Sequence, residues 1–302
     1  MVTNIPPQRY ASRAAVIGED TRITRALPHR ARRTVGAWCF LDHLGPVHFA
    51  PGKGMHVGAH PHIGLQTFTW MIEGEVVHRD SLGNEQVIRP GEVNLMTAGR
   101  GIAHTEDSLH DGATAHAAQL WIALPRSQAR CEPAFAHYPD LPQVALGGFR
   151  AMLLAGEAFG LQAPAQVHTP LVGIDFSAAQ AANATVALRP EFEYAVMVLR
   201  GSAQVAGEAL APGEWLYLAP GRAELALACD GAAQFLLLGG EPMEEGLIIW
   251  WNFVARTQAE IETALADWNA GRLAPPVRAG SSAERLTAPS LAGVQLRAGG
   301  RG

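Results

Sequence analysis

Apolar and polar residues alternate in short runs along most of this chain. Glycine, proline and asparagine break the runs at short intervals, which predicts strands joined by tight turns and a mostly β protein. The run TFTWMIEGEVVHRDSLGNEQVI (67–88) reads as alternating strand segments with a hairpin connection at SLGN. RPGEVNLMTAGRGIAHTE (89–106) continues as turn, strand, glycine-rich turn and strand. The second half repeats this plan in EYAVMVLRGSAQVAGEALAPGEWLYLAPGRAELALA (193–228), with Gly201 answering Gly74 and Pro212-Gly213-Glu214 answering Pro90-Gly91-Glu92. Nine residues separate Pro90 from Gly99, and nine separate Pro212 from Gly221, so two copies of one supersecondary unit are expected.

Near residue 257 the period changes. RTQAEIETALADWNAGR (256–272) sets Ile261, Leu265 and Trp268 on one helical face, with a capping box at Thr257 and Glu260 and a stop at Gly271. The remainder, rich in Gly, Ala, Pro and Ser, predicts an extended, partly mobile tail. The expected organisation is a domain over 1–145, a second over 146–272 including the helix, and a tail over 273–302.

With 302 residues, 48% hydrophobic and 17% charged, the chain is of ordinary globular composition and long enough for about two domains. A net charge of −5 with no basic run longer than RARR (30–33) argues against direct nucleic-acid binding. No apolar stretch reaches the length of a signal segment near the start or of a membrane span anywhere. Cys39, Cys131 and Cys229 are scattered and odd in number, which predicts small buried hydrophobes in a reducing, cytoplasmic setting.

The histidines change the picture. All twelve lie at or before His168, so histidine chemistry belongs to the first half. His60 and His62, like His104 and Glu106, are spaced i and i+2, which on a strand puts each pair on one face about 6.6 Å apart. If the two strands are close, four groups converge as a metal site for Fe(II), Mn, Ni, Co, Cu or Zn. The repeat supplies a control. The Gly74-to-Gly201 offset carries His60 and His62 to Ala187 and Arg189, and the Pro90-to-Pro212 offset carries His104 and Glu106 to Ala226 and Ala228. The repeated unit therefore needs none of the four polar side chains.

Other candidates are weaker. His78 is expected to line the pocket or pack on its strand. His43 is expected in a tight loop, and His110 and His116 in solvent around a glycine loop. Trp70, Trp121 and Trp215 are expected in the core. No nucleophilic triad has local support, and GRG at 99–101 precedes a strand, so it is no phosphate loop.

HPHIGLQT, GEVVHRDSLG, MTAGRGIAHTE and HAAQLWI, with the later GEPMEEGLIIWWNFV, resemble the pirin family of the cupin superfamily over roughly residues 20–272. The resemblance implies an all-β bicupin: two stacked antiparallel β-barrels of jelly-roll type, a degenerate second barrel and a short C-terminal helix. It implies one mononuclear divalent metal, usually iron, held by His60, His62, His104 and Glu106. The general cupin pattern has a carboxylate four residues after the second histidine. Here that position is Gln66, either a hydrogen-bond donor near the metal or a structural strand residue, so the carboxylate must come from Glu106. Some bacterial members of the family open the central ring of quercetin with O2 and release CO, which makes Glu106 the expected catalytic base. Other members act as metal- and redox-sensing binding partners of proteins, and a different small enol or phenol substrate is a third possibility.

Overall fold

The alternating runs form antiparallel strands, and the one helix among the described residues is Gln258–Asn269. The computed structural model describes residues 5–18 and 20–299. Residues 1–4 and 19 of the expected first domain, and 300–302 of the expected tail, lie outside the described residues. The chain forms two compact units, neither of them a continuous half: one is Met1–Arg13, Thr24–Leu41 and Asp140–Met243, the other Ala14–Ile23, Asp42–Pro139 and Glu244–Gly302. The strands form open sheets of jelly-roll character rather than fully closed barrels, with a short C-terminal helix as expected.

In the unit built on 140–243, Glu193–Arg200, Glu224–Gly240, Leu171–Ala187 and Phe149–Ala158 are successive neighbours in one sheet. Inward positions are apolar. Phe149, Phe176 and Phe235 are buried together with ring centroids 5.4 to 6.0 Å apart, among Val186, Leu225 and Leu227.

In the other unit a four-stranded sheet runs His56–His62, Ile102–Ser108, Val76–Asp80, Glu85–Ile88, the last two joined through residues 81–84 as expected of SLGN. Facing strands include Leu65–Glu73, which pairs with both Val93–Thr97 and Thr114–Ala123. Met55, Val57, Met71, Val76 and Ile88 form an apolar core in this unit. A second core lies behind the histidine strands, where Ala103 packs with Phe253, Ile261, Ala264 and Trp268. The helix is capped as predicted: the Thr257 hydroxyl accepts from Glu260 N, and the Glu260 carboxylate accepts from Thr257 N at 2.9 Å. The segment after the helix is extended and hydrogen-bonded to it and to the first histidine strand. Trp268 Nε1 donates to Leu286 O at 3.0 Å, and Leu286 N donates to Ala59 O at 2.9 Å. The backbone of Glu284 approaches Gly58 so closely that a Cβ there would collide with it, which explains a glycine in mid-strand.

The repeat holds at the level of single hydrogen bonds. Gly91 N donates to Met71 O at 2.9 Å, and Gly213 N donates to Val198 O at 3.0 Å. Arg89 N donates to the Glu92 carboxylate at 2.7 Å, and Ala211 N to that of Glu214 at 2.8 Å. Gly74 and Gly201 both have positive φ, 87° and 71°, and a Cβ on either would strike a backbone carbonyl of the neighbouring strand. One expectation needs correction. Ala187, Arg189 and Ala226 point outward and are exposed, and the inward positions are Val186, Leu188, Leu225 and Leu227. The two stretches that carry Val186 and Leu225 are one residue out of phase with the offset, which exchanges their faces, while Val196 and Val198, answering Thr69 and Met71, keep the phase. At the four inward positions Val186, Leu188, Leu225 and Leu227 the second copy carries apolar side chains in place of the histidines and the carboxylate.

Candidate metal centre

The strands His56–His62 and Ile102–Ser108 pair antiparallel with His60 opposite His104 and Ile102 opposite His62. A register shift between His104 and Glu106 leaves Glu106 opposite Val57 on one side and His78 on the other. The ring nitrogens of His60, His62 and His104 come within 4.8 Å of one another, and all three residues are buried. Glu106 is half-buried and joins His78 and His104 in a second trio of the same tightness.

Protonation decides what these rings can do. Burial lowers His60 to about 4, the Gly58 carbonyl opposes, and His78 lowers it further. Burial first, then the neighbouring rings, hold His62 and His104 well below the ordinary imidazole value. All three are therefore neutral at pH 7, each with one N–H and one lone pair. His60 Nδ1 lies 2.9 Å from Gly58 O and His62 Nδ1 3.0 Å from Asn252 O, and a carbonyl only accepts, so both rings carry their proton on Nδ1. Their Nε2 lone pairs face inward. His62 Nε2 is 3.1 Å from His104 Nε2, and two neutral nitrogens this close repel unless they share a cation or a proton. Burial disfavours an added, charged proton, and an Nδ1–H tautomer of His104 leaves a cation as the group that the two nitrogens share. The donor set thus fits a single divalent ion on chemical grounds.

Glu106 is pushed up to about 7 by burial, with the Asp107 charge adding and a hydrogen bond from the Thr69 hydroxyl opposing. Thr69 Oγ1 also sits 2.9 Å from Gln119 Oε1. Gln66 takes the structural role of the two foreseen: its Nε2 donates to Thr97 Oγ1 at 2.9 Å, on the strand face opposite Thr67 and Thr69. Trp121 is buried as predicted, but its ring also packs edge-on against His62 at 5.1 Å and shields that ligand candidate from water.

Two histidines depart from expectation. His43 lies in the strand Trp38–His48 rather than a tight loop, and His116 is buried rather than solvated. They face each other on neighbouring strands with Nε2 atoms 2.8 Å apart, so each supplies what the other's burial would leave unsatisfied. Burial, reinforced by His116, lowers His43 to about 3. His110 is exposed, as expected. His78 is buried beside His104, its ring stacked on Phe135 at 4.5 Å. The roles of Asn252, Thr69 and Asp80 carried no sequence signal, because each depends on a partner brought in by folding.

The sequence model of the Pirin family matches residues 20–122, and that of the pirin C-terminal cupin domain matches 173–274. A Pseudomonas aeruginosa protein named "Putative quercetin 2,3-dioxygenase" is 54% identical over 264 residues, covering 87% of this chain and 84% of its own. A "Pirin-like protein" of Caulobacter vibrioides is 41% identical over 263 residues, 84% of this chain and 90% of its own. The crystal structure of a quercetin 2,3-dioxygenase from Acinetobacter baumannii superposes with a TM-score of 0.94 at 48% identity, covering 97% of both chains.

Proposed function

The chain belongs to the pirin family, and on that premise we propose that it is a metal-dependent dioxygenase that opens the central ring of flavonols such as quercetin with O2 and releases CO. His60, His62, His104 and Glu106 are the metal ligands in this reading, and Glu106 is the catalytic base. The observation that carries it is the convergence of three buried, neutral imidazoles, with the half-buried Glu106 carboxylate beside one of them, His104. In this reading 1–145 is the metal-binding domain, and 146–272 is the ligand-free copy together with the C-terminal helix.

A divalent ion, Fe(II) first and Mn, Ni, Co, Cu or Zn as alternatives, supplies Lewis-acid stabilisation for a deprotonated 3-hydroxyl. The rest falls to the chain. Three neutral rings would add no charge of their own and Glu106 would be the one anionic ligand, so net positive charge would remain to hold an anionic flavonol. Glu106 accepts the 3-hydroxyl proton on a carboxylate oxygen, which makes the flavonol electron-rich enough to react with O2. Holding the flavonol beside that base lowers the entropic cost of the encounter. The carbon that bears the 3-hydroxyl leaves as CO. The reading sets the activity in the cytoplasm, on the scatter and odd number of its three cysteines.

The test is CO release from quercetin under air by protein whose bound metal has been quantified. CO in proportion to occupancy is expected, and Glu106→Gln is expected to keep the three histidines yet lose most turnover. Full occupancy without CO would replace the reading with that of a metal- and redox-sensing protein that binds a protein partner.

A further inference from the structure

Two of the three inward histidines are oriented by main-chain carbonyls, but the third is not. His104 Nδ1 faces His78 Nδ1 at 3.3 Å, and His78 Nε2 faces Asp80 Oδ2 at 3.3 Å. All three residues are buried, with 1%, 3% and 1% of their surface exposed, so water does not satisfy these groups. The carboxylate of Asp80 is fixed from the far side. Its Oδ1 accepts from Leu82 N at 2.9 Å, from Asn84 N at 3.1 Å and from Asn84 Nδ2 at 3.1 Å, and its Oδ2 accepts from Asn84 Nδ2 at 2.9 Å. The stack on Phe135, 15° from parallel, holds the plane of the His78 ring.

The protons in this chain can be placed one after another. Every neighbour of Asp80 named above is a donor, so the carboxylate is ionised and His78 Nε2 carries a proton toward it. With its one proton on Nε2, an uncharged His78 ring presents a lone pair at Nδ1. The proton between the two Nδ1 atoms therefore belongs to His104. That leaves His104 Nε2 with its lone pair directed at His62 Nε2 and the centre of the cluster.

We propose that Asp80 and His78 form a relay that fixes the tautomer of His104 and aims its Nε2 lone pair at the metal position. Both are positioning residues and neither touches the ion. The arrangement is asymmetric: His60 and His62 lean on neutral carbonyls, whereas His104 is backed by a chain that ends in a full negative charge. His104 is thereby the most electron-rich of the three donors, and the relay favours the higher charge state of a redox-active ion. The same geometry argues against a second ion at His78, His104 and Glu106, because both ring nitrogens of His78 are already engaged. The inference rests on the metal-centre reading but not on flavonol turnover.

The experiment uses the full chain, labelled with 15N, metal-free and loaded with Zn(II), with long-range 1H–15N spectra to read each tautomer. The relay predicts Nδ1–H on His104 and Nε2–H on His78 in both states, with one Zn(II) per chain. Asp80→Asn is the informative variant. Three N–H donors hold the Oδ1 position, so the amide oxygen goes there and the NH2 faces His78. His78 must then turn its lone pair toward it, and His104 is driven to the Nε2–H form. Zn(II) affinity, measured by chelator competition, is expected to fall about 10- to 100-fold. His78→Gln, which still offers an oxygen to His104 Nδ1–H, is expected to keep more affinity than His78→Phe, which offers none. If the Phe variant does not fold, Gln and Asp80→Asn carry the test alone. Unchanged His104 tautomer and affinity within twofold in Asp80→Asn, or two Zn(II) per chain with His78 as a ligand, would overturn the relay. Predicted tautomers in a wild-type protein that binds no Zn(II) would instead overturn the metal centre and, with it, the relay's purpose.

Discussion

The copy that begins at Gly74 and the one that begins at Gly201 share a backbone and differ in what they enclose. Their turns match bond for bond, down to the carboxylates of Glu92 and Glu214, which each accept from the amide three residues earlier. Inside, the first copy turns His104, Glu106, Thr69 and Gln119 toward one another, and the second turns Leu225, Leu227, Phe176 and Phe235. Turn chemistry and strand alternation therefore specify the unit, and the inward residues are left free to become either a packed core or a reactive recess. The recess has its own cost: polar groups without water must be paired with one another, which is why its hydrogen bonds are so fully assigned.

That contrast can be broken from either side. The largest effect is expected in the apolar copy. Phe235→Ala, deleting a fully buried ring, should destabilise the protein by about 3–5 kcal/mol in denaturant titration and leave metal content unchanged. A loss of metal on that substitution would show that the two interiors are not independent. In the polar copy, His104→Ala should lower metal affinity by about 100-fold or more, one ligand's share of the binding free energy, with the strands retained by circular dichroism. The shared backbone is tested by Gly74→Ala and Gly201→Ala. Both residues sit at positive φ against a carbonyl, so each should cost roughly 2 kcal/mol, and unequal costs would mean that the copies are less alike than their turns.

The smallest effect concerns pH. His43, lowered to about 3 by burial and His116, must stay neutral in the folded protein, whereas the unfolded chain takes up its proton below pH 6.5. The unfolded state then binds more protons, so stability falls as pH drops from 6.5 toward 3, by up to about 1.4 kcal/mol per pH unit. Denaturant midpoints at pH 7, 6 and 5 measure the slope, and His43→Phe should make it shallower by one histidine's share, because His60, His62 and His104 are lowered as well. A slope unchanged by that variant would assign the acid sensitivity elsewhere.

Much of this was legible in the sequence. The two copies, the capping box at Thr257 and Glu260, and the shared face of His60 and His62 follow from local period and spacing, whereas the pairing that brings His104 beside them is left open by the sequence and decided by the fold. The assignments to His43 and His116 failed because a glycine-rich neighbourhood looks like a loop, while each ring in fact finds its partner 73 positions away. The offset control picked Ala226 where Leu225 and Leu227 face inward, because a phase of one residue leaves turn spacing intact and reverses every side chain of that stretch.

The sequence by itself determined the strand alternation, the repeated turns and the positions that bring imidazoles and a carboxylate to neighbouring strands. These are properties of a few adjacent residues: the two-residue period of a strand, a positive φ that only glycine adopts readily, the reach of a capping side chain. Only the tertiary structure decided which nitrogen of each ring looks inward. That choice depends on acceptors from distant chain: Asn252 O, 190 positions from His62, and the His78–Asp80 pair beside His104. A proton on an imidazole goes to whichever nitrogen has the better acceptor, and no local spacing encodes an acceptor that folding brings from elsewhere.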